Sequence, residues 1–509
     1  MTASRTWSVA LTGIDGALVE VEADQSNQTP DFRIIGLPDS ALREAASRVH
    51  NASANSGLAL SRRRITVNLS PASLPKHGSG FDVAIAISAL ATDGGMDAAS
   101  LARTVHLGEL GLDGRLRPVP GVLPAVLAAT RAGFDRIVVP HGNAAEAELV
   151  DGVTVLAAAS LAEVARWHGA DVAETTVEPI ERPPAAETTP SDPDLADVIG
   201  QPEAVEALIT AAAGDHHLLM SGPPGAGKTM LASRLPGILP ELDHAAALEA
   251  ASIRSLGGEP VDTLVRRPPF EAPHHSASVA ALVGGGSRLV RPGAIARATH
   301  GVLFLDEAGE FPAHALDALR QPLETGTIVI HRAGFTAAFP ARFQLVLATN
   351  PCPCGNYGVR GADCVCPPMA IRRYLGRLSG PLLDRVDIEL HLARVSVAHA
   401  DLADGKRVST DAARARVAEA RHRAAHRLRD TPWCVNGRVS GPWLRQGPLA
   451  LPVASRRPLD AALSRGALTL RGYDRTLRLA WTIADLCGHA VPTVHDVGRA
   501  LFLKRGIGA

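Results

Sequence analysis

Apolar and polar residues alternate through Trp7–Leu11, Leu18–Ala23 and Arg64–Leu69, the two-residue period of strands that bury one face. Ile137–Pro140 is a shorter run of the same kind. Between these runs, Ala-rich stretches at Ser40–Ser56, Phe81–Ala91 and Val122–Ala132 repeat their apolar positions at helical spacing. Residues 1–172 are therefore predicted to form one α+β or α/β domain. The periodicity vanishes over 173–194, where Pro, Thr and Glu dominate as in an exposed linker. It resumes with strand-like His217–Ser221, Gly301–Asp306 and Phe343–Thr349, separated by helical segments, the order that builds a parallel sheet through crossover helices. This second domain is taken as 195–395. Beyond it the strands stop. Ala412–Arg429, Pro458–Ala467, Tyr473–Cys487 and Val494–Lys504 read as four helices, so 396–509 is predicted to be a helical domain. The chain as a whole reads as α/β.

Composition narrows this picture. With 509 residues, 46% of them hydrophobic, the chain can bury several cores, which excludes wholesale disorder. No apolar run approaches the ~18 residues that a membrane helix needs. The start, MTASRTWSVALTG, lacks the charged head, apolar stretch and small-residue cleavage site of a secretion signal. A cytoplasmic protein without a membrane partner is expected. The linker region 171–197 carries eight acids against the single Arg182, so it is predicted to repel itself and stay unpacked. Lys+Arg number 51 and Asp+Glu 52, which excludes a uniformly basic nucleic-acid binder. That balance is an average, because residues 401–509 carry a net +10 and residues 1–400 a net −11. Arg421, Arg423, Arg427 and Arg429 fall in one predicted helix and offer a face for phosphate contact.

The most specific chemistry lies at Gly222-Pro-Pro-Gly-Ala-Gly-Lys-Thr229, which fits GxxxxGKT in full between an apolar strand and a helix opening near Lys228. Gly222, Pro223, Pro224, Gly225, Ala226 and Gly227 are expected to wrap a phosphate in backbone N–H groups at a helix N-terminus. Lys228 would neutralise the β and γ phosphates of ATP, and the Thr229 hydroxyl would ligate Mg²⁺. About eighty residues on, Val302-Leu-Phe-Leu-Asp306-Glu307 ends an apolar strand in two carboxylates; in a phosphate-loop fold both strands end on the same sheet edge. Asp306 is expected to hold Mg²⁺ through water and Glu307 to orient the attacking water. Leu347-Ala-Thr-Asn350 ends another strand in an amide suited to the γ-phosphate or that water. Ser379-Gly-Pro-Leu-Leu-Asp384-Arg385 then places an arginine after a short apolar turn.

With these residues together the chain resembles the AAA+ ATPases, and among them the magnesium-chelatase-like branch. The resemblance implies that Asn350 is sensor 1 and that Arg385 is a finger reaching the γ-phosphate of a neighbouring subunit. It also implies a sensor 2 role for Arg471 in Leu468-Thr-Leu-Arg471-Gly, with Arg475 one turn later as the alternative. A finger acting in trans completes the site only between subunits, so a ring, a homo-hexamer, is implied. Pro268–His275, the glycine-rich Val283–Arg288 and Arg291-Pro-Gly293 resemble the pore-facing insert of the magnesium-chelatase-like and MCM helicase branch. His274 and His275 are adjacent, diverge in direction and have no evident third ligand, so a structural or substrate-facing role is expected of them. Gln321–Pro340 reads as a hairpin with its tip at Arg332-Ala-Gly334, in the position of the branch's pre-sensor-1 hairpin. His331 and Arg332 are the candidates there for gripping DNA phosphates.

Cys352-Pro-Cys354 and Cys364-Val-Cys366 supply four thiols in a Gly/Pro/Asn loop. Four thiolates suit a structural tetrahedral Zn²⁺, the alternative being reduced free thiols. Cys434 and Cys487 are isolated and read as packing residues. In the front domain Pro71–Asp82, Gly108–Leu123 and Ala132–Pro140 resemble the S5-type proteolytic domain of Lon proteases. Leu123 stands where that resemblance requires a lysine, and Ser79 is displaced by about one position from the serine. An isobutyl group cannot take a hydroxyl proton, so a protease-dead scaffold for ring assembly or DNA contact is expected.

A Lon-like front, a chelatase-like ATPase with a four-cysteine loop and a helical lid, in this order, resemble one family along nearly the whole chain: the bacterial ComM (YifB) proteins. The resemblance implies an ATP-driven ring helicase promoting branch migration in recombination or natural transformation. Its implied partners are branched or single-stranded DNA and recombination proteins. Two rivals stay open. One is a magnesium-chelatase motor subunit, against which the fused front domain argues. The other is a protein-remodelling AAA+ ATPase or a non-enzymatic scaffold; intact Lys228, Asp306 and Glu307 disfavour the scaffold but do not separate DNA from protein as substrate.

Overall fold

The computed structural model describes residues 3–36, 40–183, 193–286, 290–332, 335–359, 361–395 and 407–505. The front segment is built on a seven-stranded mixed sheet. In spatial order its strands are Asp31–Ile35, Arg64–Ser70, Asp15–Ser26, Ser4–Thr12, Thr104–His106, Arg136–Pro140 and Thr154–Ala158. Asp15–Ser26 is antiparallel to both Ser4–Thr12 and Arg64–Ser70, and the other neighbours are parallel. In Arg64–Ser70 the residues Ile65, Val67 and Leu69 are buried and those between them are not, the alternation written in the sequence. Helix Asp82–Leu90 is buried at every position, which explains why its apolar run is continuous rather than periodic.

The middle segment carries a five-stranded, all-parallel sheet in the order Phe270–Glu271, Val302–Leu305, Gln344–Thr349, Leu218–Ser221, Ile388–His391. The first strand in the chain therefore lies between the last two, and a crevice opens at the carboxyl ends of the strands where the winding reverses. Val302–Leu305 and Gln344–Thr349 are buried throughout, as expected of a sheet covered on both faces. Phe270–Glu271 lies inside the stretch read as a loop; two residues are too few to carry a period. The predicted hairpin forms from Thr327–Arg332 and Phe335–Pro340, with Arg332 opposite Phe335. Ile328, Ile330, Ala337 and Phe339 face a core. Ala338 on the return strand bridges Gly13, in the turn between the first two front strands. A Cβ on Gly13 would lie 2.0 Å from the Ala338 carbonyl oxygen, and its φ of +68° is one that glycine adopts freely. The hairpin turn at 333–334, the glycine-rich 287–289 and the Arg332 side chain lie outside the described residues.

The last segment has five described α-helices rather than four: Thr410–Leu428, Gly441–Gln446, Val453–Ser464, Leu470–Cys487 and Val494–Arg505. Gly441–Gln446 is too short to reveal a period. Pro458 lies inside Val453–Ser464 instead of opening it, because Val453–Arg457 complete a first turn ahead of it. Ala413, Val417, Leu459, Leu477 and Leu503 share one core with Leu218, Val346 and Ile388 of the parallel sheet. Among the described residues no helix is long and apolar enough to cross a membrane.

Three expectations are corrected here. The linker is exposed over Ala173–Thr176 and at Glu178, as expected, but it docks around Arg182. Arg182 donates to the Val119 carbonyl at 3.2 Å and lies 3.4 Å from the buried Glu146 carboxylate, while Glu181 meets His141 at 3.1 Å. Burial pushes Glu146 up to about 7, against the pull of Arg182; the one cation of an acidic stretch is spent on a carboxylate that lacks water. Residues 184–192 of the linker lie outside the described residues. The basic helix does not offer its arginines to solvent as a patch. Arg421 donates twice to the Ala212 carbonyl, Arg423 to the Asp485 carbonyl, and Arg427 clasps the buried Asp485 carboxylate while lying over Trp481. Only Arg429, past the helix end, is exposed. Net charge counts these arginines but not the direction they face. Finally, Cys434 and Cys487 are exposed, not packed.

Candidate active site

The strand Leu218–Ser221 feeds the phosphate loop, and helix Lys228–Ile238 leaves it. Gly225 and Gly227 have φ of +78° and +83°, the left-handed values that turn successive N–H groups to one side. Gly222 is required for a different reason: a Cβ there would lie 2.5 Å from the Leu392 carbonyl oxygen. Lys228 donates to the carbonyls of Gly222 at 2.7 Å and Pro223 at 3.0 Å, and to Asn350 Oδ1 at 2.9 Å. Burial lowers the Lys228 pKa, while the charges of Asp306 and Glu307 work the other way. The Thr229 hydroxyl donates to Asp306 Oδ2 at 2.7 Å. Five of the residues singled out from sequence, Lys228, Thr229, Asp306, Glu307 and Asn350, are thus gathered at one sheet edge. A loop of inward N–H groups, a lysine, and a Thr–Asp pair of hard oxygens suit a nucleotide triphosphate with Mg²⁺.

Glu307 follows the strand end in a left-handed conformation, φ +51° and ψ +43°, unusual for a residue with a side chain. Its N–H caps Asp306 Oδ1 at 2.9 Å. Its carboxylate lies 3.1 Å from His275 Nδ1. The two histidine rings lie against each other at a tilt of 35°, with centroids 4.0 Å apart, and His274 pairs with Ser276 at 2.7 Å. His275 thus faces the carboxylate expected to orient water, a contact that adjacency in sequence did not reveal.

Arg385 and Arg471 are held apart from this cluster and close to each other. They line a cavity of about 160 Å³ with Leu323, Glu324, Asp384 and Arg475. Arg475 is committed to the buried Asp387 at 2.6 Å. Arg471 is 68% exposed, with Asp384 at 3.9 Å. Of the two sensor 2 candidates, Arg471 is the one left with its guanidinium in solvent.

The four cysteines converge directly after Asn350. Their sulfurs all lie within 4.8 Å of one another, at 3.4 Å for Cys352–Cys354 and 3.7 Å for both Cys352–Cys364 and Cys354–Cys364. No pair approaches the ~2.05 Å of a disulfide, whereas Zn–S bonds of ~2.3 Å set tetrahedral sulfurs about 3.8 Å apart. Backbone N–H groups of Tyr357 and Cys354 donate to Cys352 and Cys366. Similar bonds from Asn356 and Val365 hold the Cys354 thiol down to about 6. The donor set fits Zn²⁺. Gly355 presses this loop on the phosphate loop, since a Cβ there would lie 2.4 Å from Pro224 Cδ.

In the front segment Leu123 is fully buried on helix Val122–Arg131. Ser79 donates to the Glu109 carboxylate, and Lys76 is buried against the carbonyls of Gly36, Leu69 and Pro71. On the hairpin His331 is exposed and contacts Thr336 at 3.2 Å.

One functional element escaped the sequence reading. Gly200, Gln201 and Pro202 border a cleft of about 180 Å³ with His391, Leu392 and Arg394, beside the phosphate loop. Gln201 donates to the Ala226 carbonyl at 2.8 Å, and Arg394 to the Pro224 carbonyl at 3.4 Å. The cleft adjoins the phosphate loop on the side of Leu392 and Arg394. Its signal was Ile199-Gly200-Gln201 ahead of a proline-headed helix, too short to stand out alone.

Residues 194–400 match the family model described as magnesium chelatase, subunit ChlI; residues 407–504 match its C-terminal model, and residues 21–143 match subunit ChlI of Mg-chelatase. An uncharacterized protein of Mycobacterium tuberculosis is 49% identical over 99% of both chains. Competence protein ComM of Haemophilus influenzae is 41% identical over 96% of this chain and 94% of its own. YifB of Escherichia coli, also described as uncharacterized, is 39% identical over the same shares. The chain belongs to the ComM/YifB family of magnesium-chelatase-like AAA+ proteins.

Proposed function

We propose that the protein is an ATP-driven ring motor acting on DNA, a helicase promoting branch migration. The observation that carries the ATPase part is the Lys228–Asn350 and Thr229–Asp306 pairing at the head of a phosphate loop, with Glu307 adjoining. Lys228 and the loop N–H groups bind the phosphates, and Asp306 with Thr229 holds Mg²⁺, which when bound neutralises phosphate charge. Glu307 holds the attacking water and His275 orients Glu307. Asn350 fixes Lys228. Arg385 and Arg471, which line a cavity with Glu324 and Asp384 rather than the phosphate loop, serve the nucleotide of the next copy in a homo-hexamer.

The division into a front unit at 1–172, an ATPase unit at 195–395 and a helical unit at 396–509 goes with this reading. The front unit is a Lon-like scaffold, since Ser79 faces a carboxylate and Leu123 is apolar. Zinc in the four-cysteine loop braces the phosphate loop. The similarity over 96% of this chain to a Haemophilus protein named for competence supports a reading outside porphyrin chemistry. With the basic helix turned inward, the hairpin carrying His331 and Arg332 becomes the leading candidate for DNA contact.

The test is ATP turnover by the purified chain with forked DNA, protoporphyrin or unfolded protein added. Stimulation by forked DNA alone supports the reading. Stimulation by protoporphyrin or by unfolded protein would replace it with the chelatase or the remodelling alternative.

A further inference from the structure

Arg385 is a charged side chain that the structure puts away. It is 9% exposed. Its Nη2 donates to Glu324 Oε1 and its Nη1 to the Pro381 carbonyl, while Nε is buried with no hydrogen-bond partner among the described residues. A guanidinium in this position cannot meet a phosphate on another chain without leaving Glu324.

The neighbouring cations sharpen the point. Burial, then Arg471, Arg320 and Arg475, make the charged form of Arg385 harder to hold. Arg475 is neutralised by Asp387 at 2.6 Å and Arg320 lies 3.3 Å from Asp317. Glu324 is the one carboxylate paired with Arg385 among the described residues, and it is 58% exposed at the mouth of the cavity. An ion pair with one partner this exposed is worth little, whereas a phosphate offers several oxygens to arginine donors. Exchange of Glu324 for phosphate on Arg385 is therefore favoured once phosphate arrives.

Glu324 is also well placed to pass that exchange on. It lies on the short helix Arg320–Thr325, and only Gly326, at φ +68°, separates that helix from the hairpin strand Thr327–Arg332.

We propose that Glu324 is a latch: it stows Arg385 in the lone subunit, gives it up to the phosphate of a neighbouring copy's nucleotide, and in doing so frees the helix that leads into the hairpin. This rests on the reading of Arg385 as a finger acting in trans. Glu324 acts through Arg385, with which it pairs, and is a positioning residue.

The experiment measures ATP turnover per chain against protein concentration for the full chain, Glu324→Gln, Glu324→Asp, Arg385→Ala and the double variant Glu324→Gln/Arg385→Ala. Thermal melting identifies any variant that fails to fold, and Glu324→Asp supplies a second, charge-retaining variant. A latch predicts that Glu324→Gln reaches half-maximal turnover at about two- to fivefold lower protein concentration, with its plateau rate unchanged. Glu324→Asp should follow the parent, Arg385→Ala should lose turnover at every protein concentration, and the double variant should show none of the gain of Glu324→Gln. Two results would overturn the latch: a lower plateau in Glu324→Gln, which would make Glu324 a support for the finger, or a curve identical to the parent. Normal turnover in Arg385→Ala would instead sink the finger reading itself, whatever Glu324 does.

Discussion

Replacing Gly355 by alanine tests whether the four-cysteine loop sets the shape of the phosphate loop. The new Cβ would lie 2.4 Å from Pro224 Cδ and 2.7 Å from its Cγ, well inside ordinary carbon contact. Gly355 also has φ +80°, where a residue with a Cβ is disfavoured by ~1–2 kcal/mol. Forcing a methyl into a filled space typically adds ~1–3 kcal/mol. If the two loops move together, the overlap is relieved by Pro224 retreating, which distorts the turn that presents Gly225 to Gly227. If ~1.4 to ~2.8 kcal/mol of this is felt when nucleotide binds, affinity falls about 10- to 100-fold. Titration with a fluorescent ATP analogue, beside a thermal melt, measures both consequences. Adding Pro224→Ala should restore much of the affinity, because the two residues are in contact and their effects are coupled. An unchanged nucleotide Kd in Gly355→Ala, with only the melting temperature lowered, would refute the claim that the loops move together.

Further outcomes follow from the same site. Glu307→Gln should bind ATP within about threefold of the parent and lose turnover by ~10²-fold or more. His275→Ala should lower kcat by about fivefold, roughly one hydrogen bond's worth, with nucleotide affinity unchanged; a change confined to affinity would remove His275 from the role of orienting Glu307. Metal analysis should find one zinc per chain, and Cys354→Ser should lower both zinc content and melting temperature. His217 is buried, its Nδ1 accepts the Leu345 N–H at 3.0 Å, and burial brings its pKa down to about 4. Below about 6.5 the unfolded chain takes up a proton that the folded His217 ring refuses, so His217's own contribution to stability should fall between about pH 6.5 and pH 4, while Glu146, raised to about 7, works in the opposite direction over part of that range. Denaturant midpoints of the parent and His217→Gln compared across that range isolate the His217 share: the parent should lose more stability than the variant as pH falls, and parallel curves would refute it.

What could be read from sequence divides along a physical line. The phosphate loop and the Asp306-Glu307 strand end were legible because a continuous strand–loop–helix carries its own geometry. Asn350 and the cysteines were legible for the same reason, being local to one strand and one loop. Contacts set by long-range pairing were not. Nothing near His275 in the chain announces Glu307, thirty-two positions on, and nothing near Glu324 announces Arg385. The basic helix was misread because composition counts charges without giving their direction, and Arg421, Arg423 and Arg427 turn out to serve as donors to Ala212 and Asp485. The linker was misread at one point only, where its single arginine, Arg182, found buried Glu146. The short strand Phe270–Glu271 and helix Gly441–Gln446 exist through their neighbours rather than through any pattern of their own.

The central claim is a motor that spends ATP to move DNA strands. The most direct measurement follows a labelled four-way DNA junction incubated with the full chain and ATP, with Glu307→Gln as the control. The account predicts ATP-dependent conversion of the junction to duplex products by the parent chain and none by the variant. Turnover of ATP without any change in the junction would contradict it.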